Sequence, residues 1–248
     1  MIGELSGRTA LVTGGGRGIG LAIARALHRD GCNLSVVDID GQALELATRS
    51  IADRVLVIQA DVRRQSDVED AVERTVDRFA GLDILVSNAG ICPTSSPSEI
   101  TEDEWDTVLE VNLKGAFLFC QAALPHLRAS GVHGRIINIA SVAGQMGGVT
   151  TGLHYASSKA GLIGLSKALA RHLAADGVTV NCLAPGTTET DLIATWSEGA
   201  KAGLRDLIPL GRFAAPEEIA EAVAFLASDR AAFITGATLD VNGGLYTR

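Results

Sequence analysis

Seven short apolar runs rich in Val, Ile and Leu alternate with longer segments of helical pattern, and this alternation leaves the chain few architectures. The runs are residues 9–13, 33–38, 55–60, 84–87, 135–140, 178–184 and 238–241. They are nearly continuous rather than alternating, as parallel strands covered on both faces require. Helical segments begin near Gly18, Gly41, Ser66, Glu102, Tyr155 and Pro216. Thr101 with Glu104 has the spacing of a capping box, and Pro216 before two glutamates suits a first helical turn. The expected class is α/β, an open doubly wound sheet in a single domain over residues 1–248. Residues 186–215 form the longest irregular stretch, read either as a lid over an active site or as a surface excursion.

Composition removes several function classes. The 248 residues are 47% hydrophobic, without an uninterrupted apolar run of membrane-spanning length. The opening MIGELSGRTALVTG lacks the pattern of a signal peptide, so a cytoplasmic protein is expected. A net charge of −8 with no block of Lys or Arg argues against nucleic-acid binding. Cys32, Cys92, Cys120 and Cys182 are scattered and read as reduced, buried thiols; the five histidines have no ligand spacing, so no metal is expected. His154 lies about 100° around a helix from Tyr155, which puts it at a pocket rim rather than in the proton chemistry.

The first apolar run leads into Thr13–Gly20, TGGGRGIG, which opens the first helix. Glycines there allow a tight turn and close approach of backbone to a pyrophosphate, and the helix N-terminus supplies free N–H groups. Asp38 closes the second run, eighteen residues beyond Gly20. A carboxylate there accepts from both adenosine-ribose hydroxyls and repels a 2′-phosphate, which argues for NAD over NADP. Arg17 tempers this, since it can serve a phosphate, although pyrophosphate or solvent contact is the favoured role. Tyr155 and Lys159 in HYASSKAG share one helix face. A phenol titrates near ~10 in water, and a fixed neighbouring cation is expected to lower that value, making a tuned acid/base.

The spacing TGxxxGxG, the YxxxK pair and the order of elements resemble the short-chain dehydrogenase/reductase family over essentially the whole chain, in its roughly 250-residue branch. The resemblance implies a Rossmann fold with seven parallel strands in the order 3-2-1-4-5-6-7. It implies a catalytic tetrad of Asn112 (in VNLKG), Ser141, Tyr155 and Lys159. Tyr155 would be the acid/base and Ser141 would hold the substrate oxygen. Lys159 would serve the phenolate and the nicotinamide ribose, and Asn112 would anchor a relay water. Implied cofactor contacts are Gly14, Arg17, Gly18, Ile19, Gly20, Asp38, Asp61, Val62, Asn88, Ala89, Gly90, Tyr155, Lys159, Pro185, Gly186, Thr188 and Thr190. The family usually has NNAG where this chain has Ser87-Asn88-Ala89-Gly90, which puts the strand-end hydrogen bonding in question.

The substrate expected first is a neutral secondary alcohol or ketone (a polyol, sugar or cyclic alcohol) with NAD as cofactor. Pocket walls are expected from residues 143–154 and 188–210, with Leu192, Ile193 and Trp196 as an apolar wall or Trp196 as a packing anchor. Two alternatives stand beside it. One is a 3-oxoacyl-carrier-protein reductase, a class that generally uses NADPH and docks an acidic carrier. Asp38, and Asp176 in the turn before the sixth run, weigh against that reading, and Arg128 and Arg135 could compensate. The other is a catalytically idle nucleotide-binding scaffold. Small residues at Ala156, Ala160, Gly164 and Ala168, with the resemblance, imply a homotetramer.

Overall fold

A computed structural model describes residues 3–247 other than Ser50, Ala52, Val149 and Thr195. Its seven strands are β1 (Thr9–Thr13), β2 (Asn33–Asp38), β3 (Val55–Gln59), β4 (Ile84–Ser87), β5 (Arg135–Ile139), β6 (Thr179–Pro185) and β7 (Thr238–Val241). All neighbours pair in parallel, in the order β3-β2-β1-β4-β5-β6-β7, as the resemblance implies. The order reverses between β1 and β4, so a crevice opens beyond their carboxyl ends.

Helices cover both faces. On one lie α1 (Gly18–Arg29) and α10 (Pro216–Ala227), packed on each other; α2 (Gly41–Thr48) flanks β2 and β3. On the other lie α3 (Gln65–Phe79), α5 (Gly115–Ser130) and α7 (Leu153–Leu173). Successive strand residues feed opposite cores. Val12, Val36, Val86 and Ile137 face α1 and α10, while Leu11, Val37, Leu85 and Ile136 face α3, α5 and α7. Both sides are apolar, which is why the runs read as continuous hydrophobic sequence. Ser35, the polar interruption in β2, is buried and accepts a hydrogen bond from the Thr75 hydroxyl at 2.8 Å.

Three features differ from the sequence expectation. α4 (Glu102–Leu109) does not stop before the next strand but continues through a π-helical turn, Glu110–Lys114, into α5. The 186–215 stretch is not irregular: it contains α8 (Asp191–Ala194) and α9 (Glu198–Arg205), and its ends are tied by a parallel bridge between Thr188 and Ala214. The third is a short helix, α6 (Ala143–Met146), which follows β5. The helical stretch Glu102–His133 is long and apolar enough to cross a membrane by length and composition alone; here it lies against β4 and α3.

Candidate active site

A cleft of about 1160 Å³ opens at the carboxyl ends of β1 and β4. That exceeds the ~300–1,000 Å³ usual for a single small ligand, so it has room for a dinucleotide and a substrate together. Every residue of the expected tetrad except Asn112 lines it, and so does every expected cofactor contact.

The glycine loop is shaped by contacts that exclude side chains. Gly14 has φ +63°, and a Cβ there would lie 2.8 Å from Ala89 Cα. A Cβ on Gly20 would lie 2.0 Å from the Gly14 carbonyl oxygen. Asn88 latches the loop, its amide donating to the carbonyls of Thr13 (3.1 Å) and Gly14 (3.0 Å). The Thr13 hydroxyl in turn accepts from the backbone of Asn88 and Ala89. Ser87, the departure from the family pattern, buries a hydroxyl that finds no partner among the described residues. This side-chain-free cradle at the start of α1 fits a pyrophosphate.

Asp38 sits at the end of β2 with both carboxylate oxygens accepting backbone N–H bonds, from Gly16 at 3.0 Å and Asp40 at 3.1 Å. The group is therefore fixed in direction where an adenosine ribose would lie. Arg17 is exposed at the rim. Asp61 is buried, and Arg63 grips its carboxylate at 2.6 Å and holds it below the ordinary carboxylate range. Arg63 also lines the cleft, a cation that sequence reasoning passed over. At the other end Pro185 closes β6, and the Thr188 hydroxyl donates to the Gly186 carbonyl at 3.2 Å. Thr190 rests its methyl near Gly18, bringing the 186–190 segment against the glycine loop.

Tyr155 opens onto the cleft, and its hydroxyl is hydrogen-bonded to that of Ser141. Enclosure by protein pushes the phenol well above its ordinary value, and the Ser141 bond only partly opposes this. Lys159 is buried and donates to the Ile139 carbonyl at 2.8 Å, and burial lowers it to about 8. The expected lowering of the phenol by a fixed cation is therefore corrected. The ammonium is itself destabilised by desolvation, and the phenol is held neutral. A neutral phenol bonded to a hydroxyl can deliver a proton to an oxygen developing negative charge.

Asn112 lies in the π-helical turn and is buried. Its side chain spans a loop, accepting from Ile91 N–H (2.8 Å) and donating to Ile91 C=O (2.9 Å) and the Ser158 hydroxyl (3.0 Å). The Ser158 hydroxyl donates to the Tyr155 carbonyl, so Asn112 is linked to the backbone of the acid/base. Neither Ser158 nor Cys92 stood out in sequence. Cys92 lines the cleft, half-buried, its thiol pushed up to about 11 by burial, while Cys32, Cys120 and Cys182 are fully enclosed.

Some expectations fall elsewhere. His154 is not at the rim: it is fully buried, with Nε2 2.9 Å from Glu104 Oε1 and its ring stacked on Trp105. Arg135 cannot compensate an acidic docking face, because it is buried and donates to Val132 and Gly134 carbonyls. Arg128 is occupied by Asp176 itself at 2.8 Å. Ile193 and Trp196 line the cleft; the Leu192 side chain lies outside the described residues. Among the described residues no group of three His, Cys, Asp or Glu is placed to hold a metal ion.

A family model described as enoyl-(acyl carrier protein) reductase matches residues 14–246. The chain is 42% identical over 247 residues to a 3-oxoacyl-[acyl-carrier-protein] reductase, FabG, of Escherichia coli, covering 98% of this chain and 99% of that one. It is 42% identical over 244 residues to nodulation protein G of a Rhizobium species, covering 98% of each. A solved structure from Brucella melitensis, titled short-chain dehydrogenase/reductase SDR: glucose/ribitol dehydrogenase, superposes with a TM-score of 0.94 at 35% identity over the full length of both chains. With cradle, serine, tyrosine and lysine in one cleft and these relatives matched from end to end, the chain belongs to the short-chain dehydrogenase/reductase family of oxidoreductases that act between alcohol and carbonyl groups.

Proposed function

We propose that the protein is a carbonyl reductase acting on 3-oxoacyl thioesters, with NADH as the hydride source. The observation that carries the reading is the cleft that brings Ser141, Tyr155 and Lys159 together with the glycine cradle, with a neutral phenol beside the Ser141 hydroxyl as the proton donor. Full-length similarity to proteins named 3-oxoacyl-[acyl-carrier-protein] reductase supports the substrate class over the polyol expected first. The bound nicotinamide would supply the hydride. The chain does the rest: Ser141 donates to the carbonyl oxygen and orients it, and Tyr155 gives its proton to that oxygen as charge develops. Lys159 replenishes the phenol's proton and steadies the ribose end, while Asn112 holds the Ile91 loop and the start of α7 in place. Gly14, Gly18, Ile19 and Gly20 cradle the pyrophosphate with Arg17 at its edge, and Asp38 takes the ribose hydroxyls. Asp61 and Val62 border the adenine, Asn88, Ala89 and Gly90 line the floor, and Pro185, Gly186, Thr188 and Thr190 hold the nicotinamide side.

NADH rather than NADPH follows from Asp38, whose fixed carboxylate would face a 2′-phosphate. The carrier is not expected to dock at the Asp176 turn, since neither arginine near it is free. A second reading, NAD-linked oxidation of a secondary alcohol or polyol, is favoured by Asp103, Glu104 and Asp191 around the cleft, which suit a neutral substrate. The single domain works as a unit with residues 186–215 as its lid. A homotetramer is supported by the exposed Ala160, Gly164 and Ala168 beside an apolar groove holding Leu109, Leu113 and Phe117. Four unpaired thiols suit a reducing cytoplasm.

Initial rates with a 3-oxobutanoyl thioester and either NADH or NADPH, against NAD with a panel of secondary alcohols and polyols, test both readings. Thioester reduction by NADH is the expected result. Alcohol oxidation alone would replace the first reading by the second, and NADPH-only turnover would overturn the role of Asp38.

A further inference from the structure

Thr101 caps α4 with its hydroxyl on Glu104 N–H (3.1 Å). In a capping box the Glu104 carboxylate would turn back to the Thr101 N–H. Instead it reaches away from its own helix, to His154 Nε2 at 2.9 Å and to the Ser95 hydroxyl, and these two bonds hold it in its ionised form. As Glu104 only accepts, His154 Nε2 carries the hydrogen.

The ring is held by its Nε2 bond, by burial and by stacking, while its Nδ1 finds no hydrogen-bond partner among the described residues. It is fully buried and stacks on Trp105 with planes 19° apart. The preceding turn leaves it no slack, because a Cβ on Gly152 would lie 2.3 Å from His154 Cε1. Gly152 N–H also donates to the Pro93 carbonyl at 3.1 Å. The loop after β4 and the first turn of α4 therefore meet the residue before Tyr155, some fifty residues on, at one carboxylate. The loop and Glu104 both line the cleft, while His154 stands behind it.

We propose that Glu104 and His154 are a positioning pair, which fixes the Cys92–Ser95 wall and the Tyr155 hydroxyl relative to each other and so sets kcat without contacting the cofactor. The kcat arm of the test rests on the carbonyl-reductase reading; a second arm does not. Glu104→Ala removes the carboxylate, and Glu104→Gln keeps an acceptor oxygen in place. Both leave the Thr101 cap, which uses the backbone; Glu104→Ala leaves the buried His154 Nε2–H without its acceptor, at a cost in stability that Glu104→Gln avoids.

With NADH and the 3-oxobutanoyl thioester, or the alcohol that the wild type oxidises, Glu104→Ala is expected to lose about tenfold or more in kcat. NADH affinity by fluorescence titration is expected to stay within about twofold, and Glu104→Gln to recover most of kcat. The substrate-free arm is alkylation of Cys92 by iodoacetamide, followed by mass spectrometry, the other three thiols being enclosed. Released from the pair, the loop should expose Cys92 and raise its labelling several-fold in Glu104→Ala but not in Glu104→Gln. Wild-type labelling in Glu104→Ala overturns the proposal, as does an equal loss of kcat and NADH affinity. A wild type that turns over neither substrate sinks the functional reading and leaves the labelling arm to decide the pair.

Discussion

The Lys159 ammonium lies 5.8 Å from the centroid of the Tyr155 ring and gives its hydrogen bond to the Ile139 carbonyl. Each group is pushed by desolvation toward its neutral form, the phenol upward and the ammonium downward to about 8. A proton is thus stored on the oxygen that faces the cleft and is held loosely on the nitrogen behind it. Under the carbonyl-reductase reading, such a phenol would donate its proton to the carbonyl oxygen.

Replacing Tyr155 by Phe removes the donor while keeping the ring. Turnover is expected to fall by at least ~10³-fold. NADH binding, measured by fluorescence titration, is expected to change less than about twofold, since the cradle at Gly14–Gly20 is untouched. Parallel loss of binding would move the acid/base elsewhere.

Lys159→Met is expected to abolish useful activity and yet raise stability at neutral pH. An unfolded lysine keeps its proton up to 10.5, whereas the folded one releases it near 8. Between those values the unfolded state holds more protons, so this group makes wild-type stability rise with pH across the window. Below it the buried charge opposes folding by an upper bound of roughly 3 kcal/mol, offset by the bond to Ile139. Thermal denaturation from pH 7 to 10.5 should show a higher Tm for the variant at pH 7 and a smaller rise with pH.

Asp38→Ala combined with Ile39→Arg removes a carboxylate and adds a cation at an exposed position. The ratio of kcat/KM for NADPH over NADH is expected to rise by about 100-fold or more, since like-charge repulsion is replaced by an ion pair. An unchanged ratio would remove the ribose assignment from Asp38.

Asn112→Ala strips the Ile91 peptide of both its side-chain partners. Leaving those groups unsatisfied costs about 1–3 kcal/mol each where they remain shielded from water. Urea denaturation should show a loss of about 2–4 kcal/mol, and kcat should fall with it as the loop beside Tyr155 loosens. Wild-type stability with wild-type kcat would deny Asn112 its bracing role.

The strands were legible to within a residue because two buried faces write themselves as unbroken β-branched runs, as Leu11 and Val12 do in opposite cores. The cleft was legible because the loop at Gly14–Gly20 and the Tyr155–Lys159 pair have rigid spacings. What escaped depended on contacts between distant segments. His154 was read as a rim residue, but it is buried against Glu104 and Trp105, about fifty residues away in α4. The titration of Lys159 escaped for the same reason, since spacing reveals a neighbour and not the depth at which it lies. Arg135 read as a free surface cation, yet it is buried at the start of β5 and shares Asp229 with Arg8. The π-helical turn has no signature in hydrophobic period, and without it the helix starting at Glu102 could not be carried into α5.

The bridge between Thr188 and Ala214 brings the two ends of the 188–214 segment to one point on the body of the protein. Everything between them, including α8 and α9, leaves and re-enters through that single gate. Such a segment is a cassette. A change of length between those ends need not shift the strands, and beyond the bridge the segment must keep its packing on Leu245 and its bond from Leu210 N–H to the Gly243 carbonyl.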